Sequence, residues 1–125
     1  MPSSINEIRE LLLQLHKALL TYQQKQYEEL HGPVGAPAKL FDLVLNNPDF
    51  EWLRRLSEAI VGLDGLLENE KTANSGEREN FLAYINRLLT AQDLGNGFEA
   101  KYITALQKDP HVATLHGKLK QLLPK

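Results

Sequence analysis

Apolar residues recur at steps of three and four along nearly the whole chain, and this helical period constrains the fold more than any other feature. The clearest run lies near the N-terminus and contains Ile5, Ile8, Leu12, Leu15, Leu19 and Tyr22, with further apolar residues that widen the stripe. A helix with so wide an apolar face is expected to contact neighbours on more than one side. No segment alternates apolar and polar residues as a half-buried strand does, so the pattern predicts an all-α protein.

Glycine, proline and capping residues divide the chain into five or six predicted helices, which we expect to form one compact bundle over residues 1–125. The first helix is predicted from about Ile5 to about His31, where Gly32-Pro33 forms a stop signal. Further helices are predicted over residues 37–46, over residues 48–69, after a cap at Asn74, through a short segment around Tyr102, and from Asp109-Pro110 onward.

Two glycines interrupt the third predicted helix. Gly62 and Gly65 lie in its interior, where a glycine costs about 1 kcal/mol relative to alanine if it is exposed. We expect that close approach of another helix offsets this cost.

The order of a long helix, a short helix and a helix that begins with proline occurs twice along the chain. An ungapped shift of 62 residues aligns Pro48 with Pro110 and Gly35 with Gly97. A duplicated unit would give two pseudo-equivalent three-helix halves. The shared period of helical sequence explains the same matches without a duplication, so both interpretations stay open.

Composition excludes several classes of function. The net charge is -2, and lysine and arginine do not cluster in the sequence, so nucleic acid is not an expected partner. The chain has no cysteine, which excludes disulfides, thiolate catalysis and zinc–thiolate sites. Charged residues interrupt the N-terminal apolar run, and no stretch approaches the roughly 18 apolar residues of a membrane span. We therefore expect a cytoplasmic protein with no membrane association.

Glu28 and His31 have the E-x-x-H spacing that di-iron helical bundles use. Such a site requires a second E-x-x-H pair and two further carboxylates, and the sequence offers no second pair. His31 is also the last residue before the Gly-Pro stop signal, where a histidine interacts favourably with the helix dipole. The spacing is therefore interpreted as the end of a helix.

Other candidates for chemistry lack a supporting pattern. His111 and His116 are five residues apart, whereas chelation on one helical face requires a spacing of four. His16 has no obvious partner, and Ser57 lies outside any G-x-S-x-G or S-x-x-K motif. Asp64 lies two turns after Ser57 and is a candidate general base, although such a carboxylate is more often salt-bridged or at the edge of an interface. We assign no catalytic, cofactor-binding or metal-binding residue and predict no cofactor.

Trp52, Arg54 and Arg55 form an aromatic and basic cluster early in the third predicted helix. Tryptophan and arginine are favoured at protein interfaces. The alternative, which we favour, is that Trp52 packs at the edge of the core while the arginines pair with acids.

Several local features of residues 31–64 resemble those of a family of small all-helical bacterial proteins of unassigned function. They are His31-Gly32-Pro33, the apolar block Leu40–Leu45, Asn47-Pro48 and Phe50 through Ser57, and the later segment GNGFEAKYITALQKDP is similar as well. The resemblance implies an all-helical fold and a bacterial, cytoplasmic setting. It implies no activity, ligand or catalytic residue.

These observations lead to two hypotheses for function. The first is a non-enzymatic helical module that binds another protein or itself, for example as a homodimer. The alternative is a metal- or small-ligand-binding bundle, such as an oxidoreductase, which requires Glu28 and His31 to converge with other acids or histidines. A nucleic-acid adaptor, a third class, would need a basic face that only folding creates.

Overall fold

The structure is a computed structural model that describes residues 5–68, 75–90 and 98–123. Within these residues all regular secondary structure is helical, which confirms the predicted all-α bundle. The α-helices are α1 (Ile5–His31), α2 (Pro37–Asn46), α3 (Arg54–Glu68), α4 (Ser75–Leu89), α5 (Phe98–Lys108) and α6 (Pro110–Leu122), and a 3₁₀ segment (Pro48–Leu53) leads into α3. The predicted cap Asn74 and the predicted third-helix end at residue 69 lie outside the described residues.

The end of α1 follows from its stop signal. Gly32 has a φ of 86°, a left-handed conformation that glycine adopts without a steric penalty, and its amide donates a 2.8 Å hydrogen bond to the carbonyl of Glu28. Val34 in the following loop is buried, so the chain folds back onto the core before α2 begins.

The start of the third predicted helix differs from expectation, because residues 48–53 wind as a 3₁₀ helix. The side chain of Asn47 accepts a 2.8 Å hydrogen bond from the amide of Asp49, and the amide of Phe50 donates a 3.0 Å hydrogen bond to the carbonyl of Asn47. Residues three apart eclipse in a 3₁₀ helix. The tighter winding therefore brings Phe50 and Leu53 into the core together.

Helix α1 is the centre of the bundle, because α3 packs on one side of it and α6 on another. Its buried residues Ile8, Leu12, Leu15 and Leu19 contribute to one core with the buried residues of α3 and α6. This arrangement confirms the expectation that α1 contacts more than one neighbour. In the described part of the chain, no helix combines the length and the apolar character that crossing a bilayer requires.

The apolar residues of α2 divide between its inner and outer sides. Leu43 is buried, and Leu40 and Val44 are half-buried, but Phe41 is 65% exposed and Leu45 is 50% exposed. Helix α2 has ten residues and packs mainly on the 3₁₀ segment, which covers only one side of a helix. Phe41 and Leu45 therefore do not face the core.

Of the two interior glycines of α3, only Gly62 lies at a close approach. A Cβ atom at Gly62 would overlap the ring of Phe81 on α4, whereas a Cβ atom at Gly65 would meet nothing within 4 Å. The predicted close approach is confirmed at Gly62 and wrong at Gly65.

The repeated helix order is consistent with the observed elements. In each set of three helices the first is the longest and the second is the shortest. The lengths are 27, 10 and 15 residues for α1, α2 and α3, and 15, 11 and 13 residues for α4, α5 and α6. Asn47 and Asp109, which are 62 residues apart, each accept a hydrogen bond from the amide two residues later, in Asp49 and His111 respectively. Gly97 lies outside the described residues, and the duplication stays a prediction.

Candidate functional site

Three polar side-chain pairs cross the seam between α1 and the unit formed by the 3₁₀ segment and α3. The pairs are Arg9 with Asp64, His16 with Ser57, and Gln23 with Trp52. The α1 members recur every seven residues, and their numbers rise as those of their partners fall, so the two helices run antiparallel. Seven residues is close to two helical turns and is the repeat of helices that pack side by side along their length. This register brings the polar residues together.

The pair of Gln23 and Trp52 is the most buried of the three. The indole Nε1 of Trp52 donates a 2.9 Å hydrogen bond to Oε1 of Gln23, and the two residues are 4% and 9% exposed. Burial of either polar group without a hydrogen bond would cost free energy. Trp52 therefore packs in the core, as its favoured interpretation predicts.

The pair of His16 and Ser57 is the arrangement closest to a catalytic dyad. Nε2 of His16 and Oγ of Ser57 share a 2.8 Å hydrogen bond, and burial lowers the pKa of His16. Sequence reasoning found no partner for His16, because the two residues are 41 positions apart. Neither residue lines any of four surface clefts, whose volumes lie between about 250 and about 510 Å³, and the pair lies in the seam between α1 and α3.

Asp64 does not orient His16. Its carboxylate forms an ion pair with the guanidinium of Arg9, which also lies 3.3 Å from Glu10. The prediction that Asp64 is ion-paired, the ordinary role of such a carboxylate, is confirmed.

Glu28 and His31 lie at the end of α1 and make separate contacts. Oε2 of Glu28 accepts hydrogen bonds from the backbone amide of Val34 at 2.9 Å and from the side chain of Gln24 at 3.4 Å. The exposed ring of His31 lies 4.4 Å from that of Tyr27, measured between centroids. Among the described residues, no group of three or more histidine, aspartate or glutamate side chains is placed to hold a metal ion. The contacts support the helix-end interpretation.

His111 and His116 also fail to converge. His111 is exposed in the first turn of α6, where its amide donates a 2.9 Å hydrogen bond to the capping carboxylate of Asp109. Nδ1 of His116 shares a 2.8 Å hydrogen bond with the hydroxyl of Tyr102, which is fully buried on α5. Burial raises the pKa of Tyr102, and burial together with the charge of Lys120 lowers the pKa of His116. Sequence reasoning missed this pair, which joins α5 to α6.

The cluster of Trp52, Arg54 and Arg55 lines a cleft of about 510 Å³ together with Lys101 of α5. Arg54 donates a 3.2 Å hydrogen bond to the carbonyl of Leu45. Neither arginine forms an ion pair with an acid in the described ranges, although Glu51 and Glu58 line the same cleft. The prediction that these arginines pair with acids is therefore wrong for the part of the chain described.

No protein-family model, curated protein or solved structure matches the chain. The resemblance to a family of small helical bacterial proteins stays a prediction. A function can therefore be inferred only from the geometry of the described residues.

Proposed function

We propose that the protein is a non-enzymatic helical module that binds another protein, or a second copy of itself, through the exposed face of α2. The observation that carries this proposal is the exposure of Phe41 and Leu45, which are 65% and 50% exposed and lie one turn apart. Ala38, which is also exposed, extends the same line of the helix toward its N-terminus. We call Ala38, Phe41 and Leu45 the α2 stripe.

The α2 stripe has the composition of a small binding surface. Single exposed apolar residues are ordinary, whereas contiguous apolar patches larger than a few hundred Å² mark interaction sites. Full burial of a leucine or phenylalanine side chain contributes about 1.5–3 kcal/mol, so coverage of the stripe would favour association. Polar groups flank it, because Arg54 is fixed to the carbonyl of Leu45 and Asp42 accepts a 2.8 Å hydrogen bond from Asn46. An apolar centre with a polar rim is typical of protein interfaces.

The test compares the wild type with a variant that carries both Phe41→Ser and Leu45→Ser. Val61→Ser is the matched control, because Val61 on α3 is 68% exposed and lies outside the stripe. If the occupant is a second copy, light scattering at rising protein concentration shows a dimer for the wild type and the control and a monomer for the double variant. If the occupant is another protein, affinity capture retains it on the wild type and the control only. Monomeric behaviour together with identical capture by all three proteins would overturn the proposal.

A further inference from the structure

Four neighbouring clefts form a series, because each shares lining residues with the next. Three of them border α1, and the fourth is lined by the 3₁₀ segment, α3 and Lys101 of α5. The residues shared by successive clefts are Trp52 with Lys101, then Tyr22 with Gln26, and then Thr21 with Lys25 and Asp109. The individual clefts have volumes between about 250 and about 510 Å³. We call this series of adjoining clefts the α1–α5 groove.

The shape of the α1–α5 groove suits an extended chain. Its floor on α1 carries Gln14, Lys17, Thr21, Lys25 and Glu29, which follow one another at steps of three and four and so form one stripe of the helix. Fifteen residue steps of an α-helix span about 22 Å. An extended polypeptide covers that length with about seven residues.

The wall of the groove on α5 also presents cations. Lys101, Thr104 and Lys108 are exposed and lie at steps of three and four along α5. Helix α5 packs mainly on α6 and on the 3₁₀ segment rather than on α1. Two helices thus border the groove with lysines on each.

The charge of the groove is opposite in sign to that of the chain. The chain has a net charge of -2, yet the groove is lined by the cations Lys17, Lys25, Arg54, Arg55, Lys101 and Lys108 and by fewer acids, Glu29, Glu51, Glu58 and Asp109. None of these cations forms an ion pair with an acid of the described ranges. Asp109 is already engaged, because it accepts hydrogen bonds from the first amides of α6. A cleft with an excess of one sign attracts ligands of the other sign.

We propose that the α1–α5 groove binds an extended acidic peptide segment of a partner protein. Interspersed glutamates can accept hydrogen bonds from the amides of a peptide backbone, whereas a phosphate backbone has no such donors. Trp52 is 4% exposed and donates its Nε1 proton to Gln23, so its ring is not offered for base stacking. Both features favour a peptide over single-stranded nucleic acid. The proposal does not depend on the α2 stripe, although Arg54 borders both surfaces.

The experiment titrates the protein into a fluorescein-labelled peptide of about eight residues, in which glutamate alternates with serine, and follows the anisotropy. Trp52 is the single tryptophan of the chain and lines the groove, so its emission reports binding independently. We expect saturable binding that weakens as salt concentration rises. The double charge reversal Arg55→Glu with Lys101→Glu should weaken binding by roughly tenfold or more. Lys118→Glu, at an exposed position of α6 outside the groove, should leave the affinity close to that of the wild type.

Three outcomes would overturn the proposal. The first is an absence of binding by the wild type at low salt. The second is an equal loss of affinity in the Lys118→Glu control, which would indicate attraction by overall charge. The third is tighter binding of a single-stranded DNA of matched charge, which would indicate a nucleic-acid groove. Circular dichroism is used to check that the charge-reversal variant is folded. Variants of the α2 stripe should bind the peptide with the affinity of the wild type. The peptide titration therefore tests the groove independently of the proposed role of the α2 stripe.

Discussion

The indole of Trp52 donates a hydrogen bond of 2.9 Å to the side chain of Gln23 inside the core, where α1 meets the 3₁₀ segment. This bond fixes the register of α1 against α3 at one end of the seam, and the ion pair of Arg9 and Asp64 fixes it at the other end. A buried polar contact of this kind contributes specificity, because a shifted register would bury the same groups without partners.

Replacement of Gln23 by methionine should destabilise the protein, because it removes a buried acceptor while it keeps the volume of the side chain. We expect a loss of about 1–3 kcal/mol in the free energy of unfolding, measured by urea denaturation. Trp52→Phe should also destabilise the protein. The double variant should lose less stability than the sum of the two single losses. With both partners replaced, neither the donor nor the acceptor of this bond is left buried without a hydrogen bond. Strict additivity would show that the hydrogen bond does not couple the two residues.

The stability of the fold should decrease as the pH falls through the range in which histidine titrates. Burial lowers the pKa values of His16 and His116 below 6.5, so the unfolded chain binds these protons more readily than the folded protein does. The free energy of unfolding therefore rises with pH between the lowered pKa values of the folded protein and 6.5. The contribution of these histidines to stability is lost as the pH falls through that window. Urea denaturation at about pH 5.5 and about pH 7.5 should show the difference, in a range above the ordinary titration of carboxylates.

Substitution of His16 tests the origin of this pH dependence. His16→Gln should reduce the difference in stability between the two pH values, whereas Lys118→Gln at an exposed site should leave it unchanged. An unchanged difference in His16→Gln would contradict a contribution from that buried imidazole.

The helix ends could be predicted from sequence, because Gly32, Pro37, Pro48 and Pro110 act through their own backbone conformations. The orientation of α2 could not be predicted. Its apolar residues Leu40, Phe41, Leu43, Val44 and Leu45 lie around much of the helix, so the helical period does not select one side for the core.

The polar pairs of the α1–α3 seam were also not predicted from the sequence, for a different reason. They join residues that are 29, 41 and 55 positions apart, and only the register of one helix against another brings such residues together. A signal was present, since Arg9, His16 and Gln23 are spaced by seven on one helix and Ser57 and Asp64 by seven on the other. Recognition of that common spacing would have required the antiparallel pairing to be assumed first.

Two helix glycines should respond in opposite ways to alanine. Gly117 lies exposed within α6, and a Cβ atom there would meet nothing within 4 Å, so Gly117→Ala should stabilise the protein by about 1 kcal/mol. Gly62→Ala should instead destabilise it, because the added methyl group would displace the ring of Phe81 at a cost of about 1–3 kcal/mol that exceeds the gain in helix propensity. Phe81→Leu in the Gly62→Ala background should recover part of the loss. Equal stabilisation by both alanine substitutions, measured by thermal denaturation, would contradict the close contact of α3 with α4.

The roles assigned to Glu28 and His31 predict a difference between their variants. Glu28→Ala should destabilise the protein by about 1–2 kcal/mol, because the buried Val34 would lose the acceptor of its amide. Glu28→Gln keeps an oxygen in place and should cost less, and His31→Ala should cost little because the ring is exposed. A metal site would give the opposite pattern. Stoichiometric zinc, iron or manganese in the purified protein, with a rise in melting temperature on adding the metal that His31→Ala abolishes, would refute the assignment of both residues to the end of α1.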